Sequence, residues 1–137
     1  MHRHGYKGRK FGRERDQRRA LMRGLSMALV EHGAIVTTLP KAKDLRPMVE
    51  KMVTKARKGG LSNRRALIAA MNVDSANRLM DVIVPSLKRE SGYLRIVKLD
   101  QNRVGDNAEM ARIEFVDEIA EIEKPAKEAK ATKKGDK

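Results

Sequence analysis

The chain has 137 residues and 15.5 kDa, and its 31 Lys and Arg against 18 Asp and Glu give a formal net charge of +13. Its only aromatics are Tyr6, Phe11, Tyr93 and Phe115, and it has neither Trp nor Cys, which excludes disulfides and thiolate metal sites. One domain with extensions is the natural count for this length, no apolar run approaches the roughly 18 residues that span a bilayer, and the charge points to a polyanion, most simply nucleic acid.

The charge is uneven. The first 23 residues hold nine basic and two acidic side chains, a net +7. Residues 24–117 contribute +5 and residues 118–137 only +1. A purely solubilising charge has no reason to gather at one end. Residues 1–12 are basic and punctuated by Gly5, Gly8 and Gly12. They hold no apolar run of a secretory signal and too little apolar surface to fold alone. Arg3, Lys7, Arg9 and Lys10 interleave there with Tyr6 and Phe11. Cations neutralise phosphates, glycines permit close backbone approach, and rings can stack on unpaired bases. The segment is expected to be an RNA-binding extension.

A first helix is expected from about residues 13–16 to Gly33, with Leu21, Met22, Leu25, Ala28 and Leu29 as its buried stripe. Arg15, Arg19 and Arg23 follow each other at i, i+4 and i+8, beside Arg13 and Arg18. Like charges at this spacing repel, so a phosphate backbone alongside is the favoured reading over a merely solvated face. Residues 34–38 are β-branched and read as a strand. Thr38 is a candidate N-cap for a second helix with Pro40 in its first turn. Ala42, Leu45, Val49, Met52, Val53 and Ala56 share one arc, with Lys43, Lys51, Lys55, Arg57 and Lys58 outside it. Pro47 predicts a kink or restart, and Gly59-Gly60 a stop.

Ser62 is the expected cap of a short third helix over residues 63–71, with Arg64 and Arg65 in its first turn. Asp74 or Ser75 is expected to cap a fourth, ended or kinked by Pro85. Residues 93–100 and 110–117 alternate as strands of a hairpin, joined through Gly105-Asp106-Asn107. The predicted fold is α+β, in the order α-β-α-α-α-β-β, with helices packed on a small three-stranded sheet in two layers. Three regions are expected: the arm, 1–12; one domain, 13–117; and a charged, disordered tail, 118–137. Strand order is left open by this reasoning.

Catalytic and ligand motifs are missing. There is no phosphate-cradling Gly-rich loop, no rigid elbow around Ser26 or Ser62, and no third ligand for His2 and His4 beyond a distant His32. The expectation is a protein without enzymatic activity, metal or cofactor, with no small-molecule substrate and no membrane association. Cations on several separate segments suit a folded RNA that wraps a small protein. A DNA-binding or architectural module, which more often concentrates them on one element, is the alternative.

Two stretches carry a family resemblance. Residues 35–46, IVTTLPKAKDLR, continue through Glu50 and Val53-Thr54-Lys55-Ala56. Residues 92–98, GYLRIVK, are followed by Arg103 and then by residues 105–117, GDNAEMARIEFVD. Together with Arg9-Lys10-Phe11-Gly12-Arg13 and Asn63-Arg64-Arg65, they resemble the bacterial large-subunit ribosomal protein seventeen family over roughly residues 1–117. The resemblance implies a structural protein of the cytoplasmic 50S subunit. It implies contact with 23S ribosomal RNA on the solvent side near the exit-tunnel region, and with neighbouring large-subunit proteins. RNA contact carries over to the arm and to Thr38, Lys41, Lys43, Arg46, Arg64, Arg65, Arg95, Lys98 and Arg103. The opening His2-Arg3-His4-Gly5-Tyr6 departs from the family's Arg-His-Arg type of start, and Ser91-Gly92 stands where Gly-Gly is usual.

Overall fold

The computed structural model describes residues 8–119. The start of the expected arm, with Arg3, Lys7 and Tyr6, and all but the first two residues of the expected tail lie outside them. Helix α1 spans Arg15–His32, strand β1 Ala34–Thr38, α2 Leu39–Lys58 and α3 Leu61–Ala70. Helix α4 begins at Val73–Arg78, widens into a π-helical turn at Leu79–Ile83 and ends in a last turn at Val84–Ser86. Strands β2, Leu94–Lys98, and β3, Met110–Phe115, complete the chain. The order and the α+β class are those predicted.

The sheet is antiparallel in the order β1-β3-β2. Ile113 of β3 faces Ile35 on one side and Ile96 on the other. Alternation puts Ala111, Ile113 and Phe115 in the core, while Arg112 faces solvent. Helix α2 lies against all three strands and also touches α1, α3 and the π turn. Its buried face is the predicted arc, extended by Leu39. The amide of Leu39 donates to the Glu109 carbonyl at 2.9 Å, so the first turn of α2 is tied to the lead-in of β3.

Local details depart from the sequence reading, each for a physical reason. Gly33, at φ +74°, ends α1 as expected and donates its amide to the Leu29 carbonyl at 2.8 Å. The α1 stripe is rotated: Met22 and Leu29 are buried, but Ser26 and Val30 take the other deep positions and Leu21, Leu25 and Ala28 are half-buried. Ser26 tolerates burial because its hydroxyl donates to the Met22 carbonyl at 2.8 Å. Thr38 occupies the cap position of α2 without a capping side-chain bond. Helix α2 runs through Pro47 without a restart. Pro47 and Lys43, four residues before it, are both exposed, so the carbonyl deprived of its amide partner sits on the solvent side.

Gly60, not Ser62, precedes the third helix; its φ of +84° makes a turn that a side chain would strain. Asn72, not Asp74 or Ser75, caps the fourth, accepting from the Ser75 amide at 2.7 Å. The π turn has its cause in Pro85, which lacks an amide for the Asp81 carbonyl and crowds it. The chain widens, and the Val84 amide reaches back five residues to the Leu79 carbonyl.

Ile113 is fully buried at the centre of the middle strand. Ile113→Ala should lower the unfolding free energy by about 2–5 kcal/mol, read as a lower urea midpoint at unchanged slope. Val36→Ala, on the open face of the sheet, should change it by less than about 0.5 kcal/mol.

Candidate nucleic-acid interface

The described end of the arm is built by a turn at residues 10–13. Phe11 and Gly12 both take positive φ, 55° and 61°, and the Arg13 amide donates to the Lys10 carbonyl at 3.1 Å. The turn folds Phe11 back against the core, half-buried. It is therefore not displayed on the outside of the arm for stacking, as the sequence had allowed. Just before the turn, the Arg9 guanidinium meets the Asp44 carboxylate of α2 at 2.5 Å. An acidic side chain thereby fixes the arm across the second helix.

This closure creates a groove of about 1240 Å³ between the arm, the first turns of α1, the middle of α2 and the end of α3. Lys10, Arg13, Arg15 and Arg19 line it and are exposed, with Arg18 half-exposed. Arg23 also lines it and donates to the Met71 carbonyl, which ties α1 to the end of α3. A second cleft, of about 400 Å³, holds Arg9, Thr38, Pro40, Lys43 and Glu109. Arg9 thus borders both. Thr38 is 9% exposed, and Lys41 is half-buried beside it in sequence.

The remaining predicted residues lie elsewhere. Arg46 is exposed, 3.8 Å from Glu50 one turn on. Arg64 and Arg65 sit on the exposed start of α3, where Arg64 donates to Asn77 at 2.7 Å. Lys98 is exposed at the end of β2. On the open sheet face, Arg95 and Arg112 both hold Glu114, at 2.6 and 2.7 Å. In the hairpin loop the Arg103 Nε donates to Asp106 at 2.9 Å. The structure thus gathers Arg9, Lys10, Arg13, Arg15, Arg18, Arg19 and Arg23 around one groove and spreads the rest over other faces.

The acidic partners order these cations. The hydrogen bond from Arg103 holds the Asp106 carboxyl at about 2. Glu114 is held below its ordinary 4.5, first by the hydrogen bond from Arg95, with Arg112 adding to it. Two kinds of basic residue lie outside the expected RNA-binding set. Lys51 and Lys55 line a further cleft of about 400 Å³ between α2 and α3, and their i, i+4 spacing is the signal in the sequence that points to them. Arg57 and Arg78 are structural. Arg57 lies 5.8 Å from the Tyr93 ring centre and donates to the Arg89 carbonyl, and Arg78 donates to the Val30 carbonyl at 2.9 Å. No short-range pattern marks these two. Among the described residues no group of His, Asp and Glu is arranged to hold a metal ion, and no helix is long and apolar enough to cross a membrane.

The sequence profile of the ribosomal protein L17 family matches residues 21–116, from the middle of α1 to the end of the sheet. The chain belongs to the ribosomal protein L17 family. That family is one of structural rather than catalytic proteins of the large ribosomal subunit. The large ribosomal subunit protein bL17 of Mesorhizobium japonicum is 53% identical over 117 residues, covering 84% of this chain and 81% of the relative. That of Rhodopseudomonas palustris strain TIE-1 is 51% identical over 116 residues, covering 83% of each. That of Persephonella marina is 51% identical over 118 residues, covering 84% of this chain and 95% of the relative. The L17 match includes the whole sheet and α2, and it begins after Arg19.

A carboxyl whose folded pKa is lowered stabilises the fold above its ordinary value and loses that contribution as pH falls through the folded value. Glu114→Gln should therefore lower the urea midpoint at pH 7. The difference from the parent chain should shrink as pH is taken below 4.5. Added salt should also reduce it, because both arginines are exposed.

Proposed function

We propose that this L17-family chain is a structural constituent of the large ribosomal subunit that binds 23S ribosomal RNA and neighbouring large-subunit proteins, supporting subunit assembly and translation. The arm of residues 1–12 and the basic surface of the domain of residues 13–117 make the RNA contacts; the charged segment 118–137, whose Ile119 packs on the core, has no RNA contact assigned. The observation that carries this reading is the ring of arginines around the groove between the arm and α1. Its chemistry is phosphate neutralisation. Guanidinium groups are always charged and offer forked donors that match phosphate oxygens. Asp44 holds Arg9 and the Met71 carbonyl holds Arg23, so less side-chain freedom is lost at these two on binding.

In the free protein Arg9 is paired with Asp44 at the surface, and such pairs contribute little to stability. The pair fixes the arm across α2, while Lys10, next to it and exposed, is open to phosphates. Cations on the hairpin and on α3 allow RNA to approach from other sides.

With about ten phosphate contacts, affinity for 23S RNA should fall by roughly three to five orders of magnitude between 50 and 200 mM salt. Deletion of residues 1–12 should weaken RNA binding far more than it lowers the unfolding midpoint; unchanged binding would discard the arm's role. The full chain should sediment with the large subunit at moderate salt. Its recovery in the post-ribosomal supernatant, or a preference for duplex DNA over 23S RNA in competition, would overturn the reading.

A further inference from the structure

The large groove has two chemical layers. Its exposed rim is cationic, while its deeper lining is apolar: Met22 is buried, and Phe11, Met48 and Ala70 are half-buried. Seven cationic and three acidic side chains line it in total, so it presents a net positive charge to an occupant. At about 1240 Å³ it exceeds the roughly 300–1,000 Å³ typical of small-molecule clefts. It shares Asp44, Pro47, Met48 and Ala70 with the cleft between α2 and α3, where Lys51 and Lys55 continue the line of cations. The whole is a trough with an apolar floor and a basic edge.

A duplex does not use such a floor. Its base faces are stacked inside, and it offers a charged backbone to a flat or convex cationic surface. An unpaired stretch exposes both a chain of phosphates and the apolar faces of its bases. Methionine sulfur and methyl groups contact such faces favourably. On the basis of the RNA-binding reading above, we propose that this groove seats a short unpaired segment of RNA, with bases on Met22, Met48 and Ala70 and phosphates on Arg15 and Arg19. The Arg9–Asp44 pair closes one side of the seat. This role gives the arm a second function, as a wall rather than only a string of charges.

The test uses the full chain labelled at its methionine methyl groups and observed by NMR. The probes are a six-nucleotide oligoadenylate, an RNA duplex of the same strand length, inorganic phosphate and an oligoglutamate of similar charge. The expected result is that the oligoadenylate shifts the Met22 and Met48 methyl signals, leaving Met80 in place, and that the other probes do not. Ala69→Phe adds bulk to the groove lining from an exposed position of α3 without altering charge. It should change oligoadenylate affinity by about fivefold or more, downward by filling the seat or upward by stacking on a base, since a ring against a base is worth about that much. Val73→Phe, exposed at the start of α4, should not, and thermal melts verify that both variants fold. Equal shifts with the duplex, reproduction of the shifts by phosphate or oligoglutamate, or unaltered binding by Ala69→Phe overturns the proposal. Sedimentation with the large subunit distinguishes the two failures: its loss removes the ribosomal reading, whereas its persistence without selective methyl shifts removes only the groove.

Discussion

The packing of α2 on the middle strand is the interaction on which the rest of this molecule depends. The chain is more than one-third charged and has only four aromatic residues, so its core must be assembled from aliphatic side chains of modest size. Helix α2 supplies seven buried residues on one face. β3 meets it with Ala111, Ile113 and Phe115. Each fully buried aliphatic side chain is worth roughly 1.5–3 kcal/mol, and the buried face of α2 runs the length of the helix. Helix α1 then closes over β1 and α4, while α3 and α4 pack beside α2.

That arrangement also decides where the charge goes. A helix with one face in the core carries its cations on the other, and α2 presents Lys43, Lys51 and Lys55 accordingly. The arm is attached to this exposed side through Asp44, and Phe11 packs against the core. The groove that results is a consequence of the fold's economy: a small domain has no room to bury a second layer, so the surface between arm, α1 and α2 stays open. The acidic residues have a corresponding use. Asp44, Asp106 and Glu114 each order an arginine that would otherwise be a mobile charge. Net positive charge therefore coexists with a defined surface geometry, which is what a folded RNA requires of a partner.

Much of this was legible in the residues. The period of the apolar residues in α2, the β-branched run of β1 and the alternation in β3 are local signals, and each leads to the element found. Gly33 and Pro40 mark boundaries for backbone reasons that hold in any context. The caps of α3 and α4 were not legible, because Ser62, Asp74 and Ser75 are as good candidates by type as Gly60 and Asn72. The choice depends on where the preceding turn leaves the chain. The π turn at Leu79–Ile83 follows from Pro85, yet a kink or an end would have relieved the same clash.

The helices, the strands, the basic partition and, through two motif stretches, the L17 family could all be read from the residues. All of these rest on neighbours a few residues apart or on residue order. The strand order β1-β3-β2 comes from the packed fold, since pairing of distant strands is set by which faces the helices can cover together. The packed fold alone decided which arginines converge. Arg9 and Asp44 are 35 positions apart, and Arg23 and Met71 are 48. Charge counts along the chain measure how much positive potential is available; its focusing into one groove requires elements far apart in sequence to be brought side by side by a shared core.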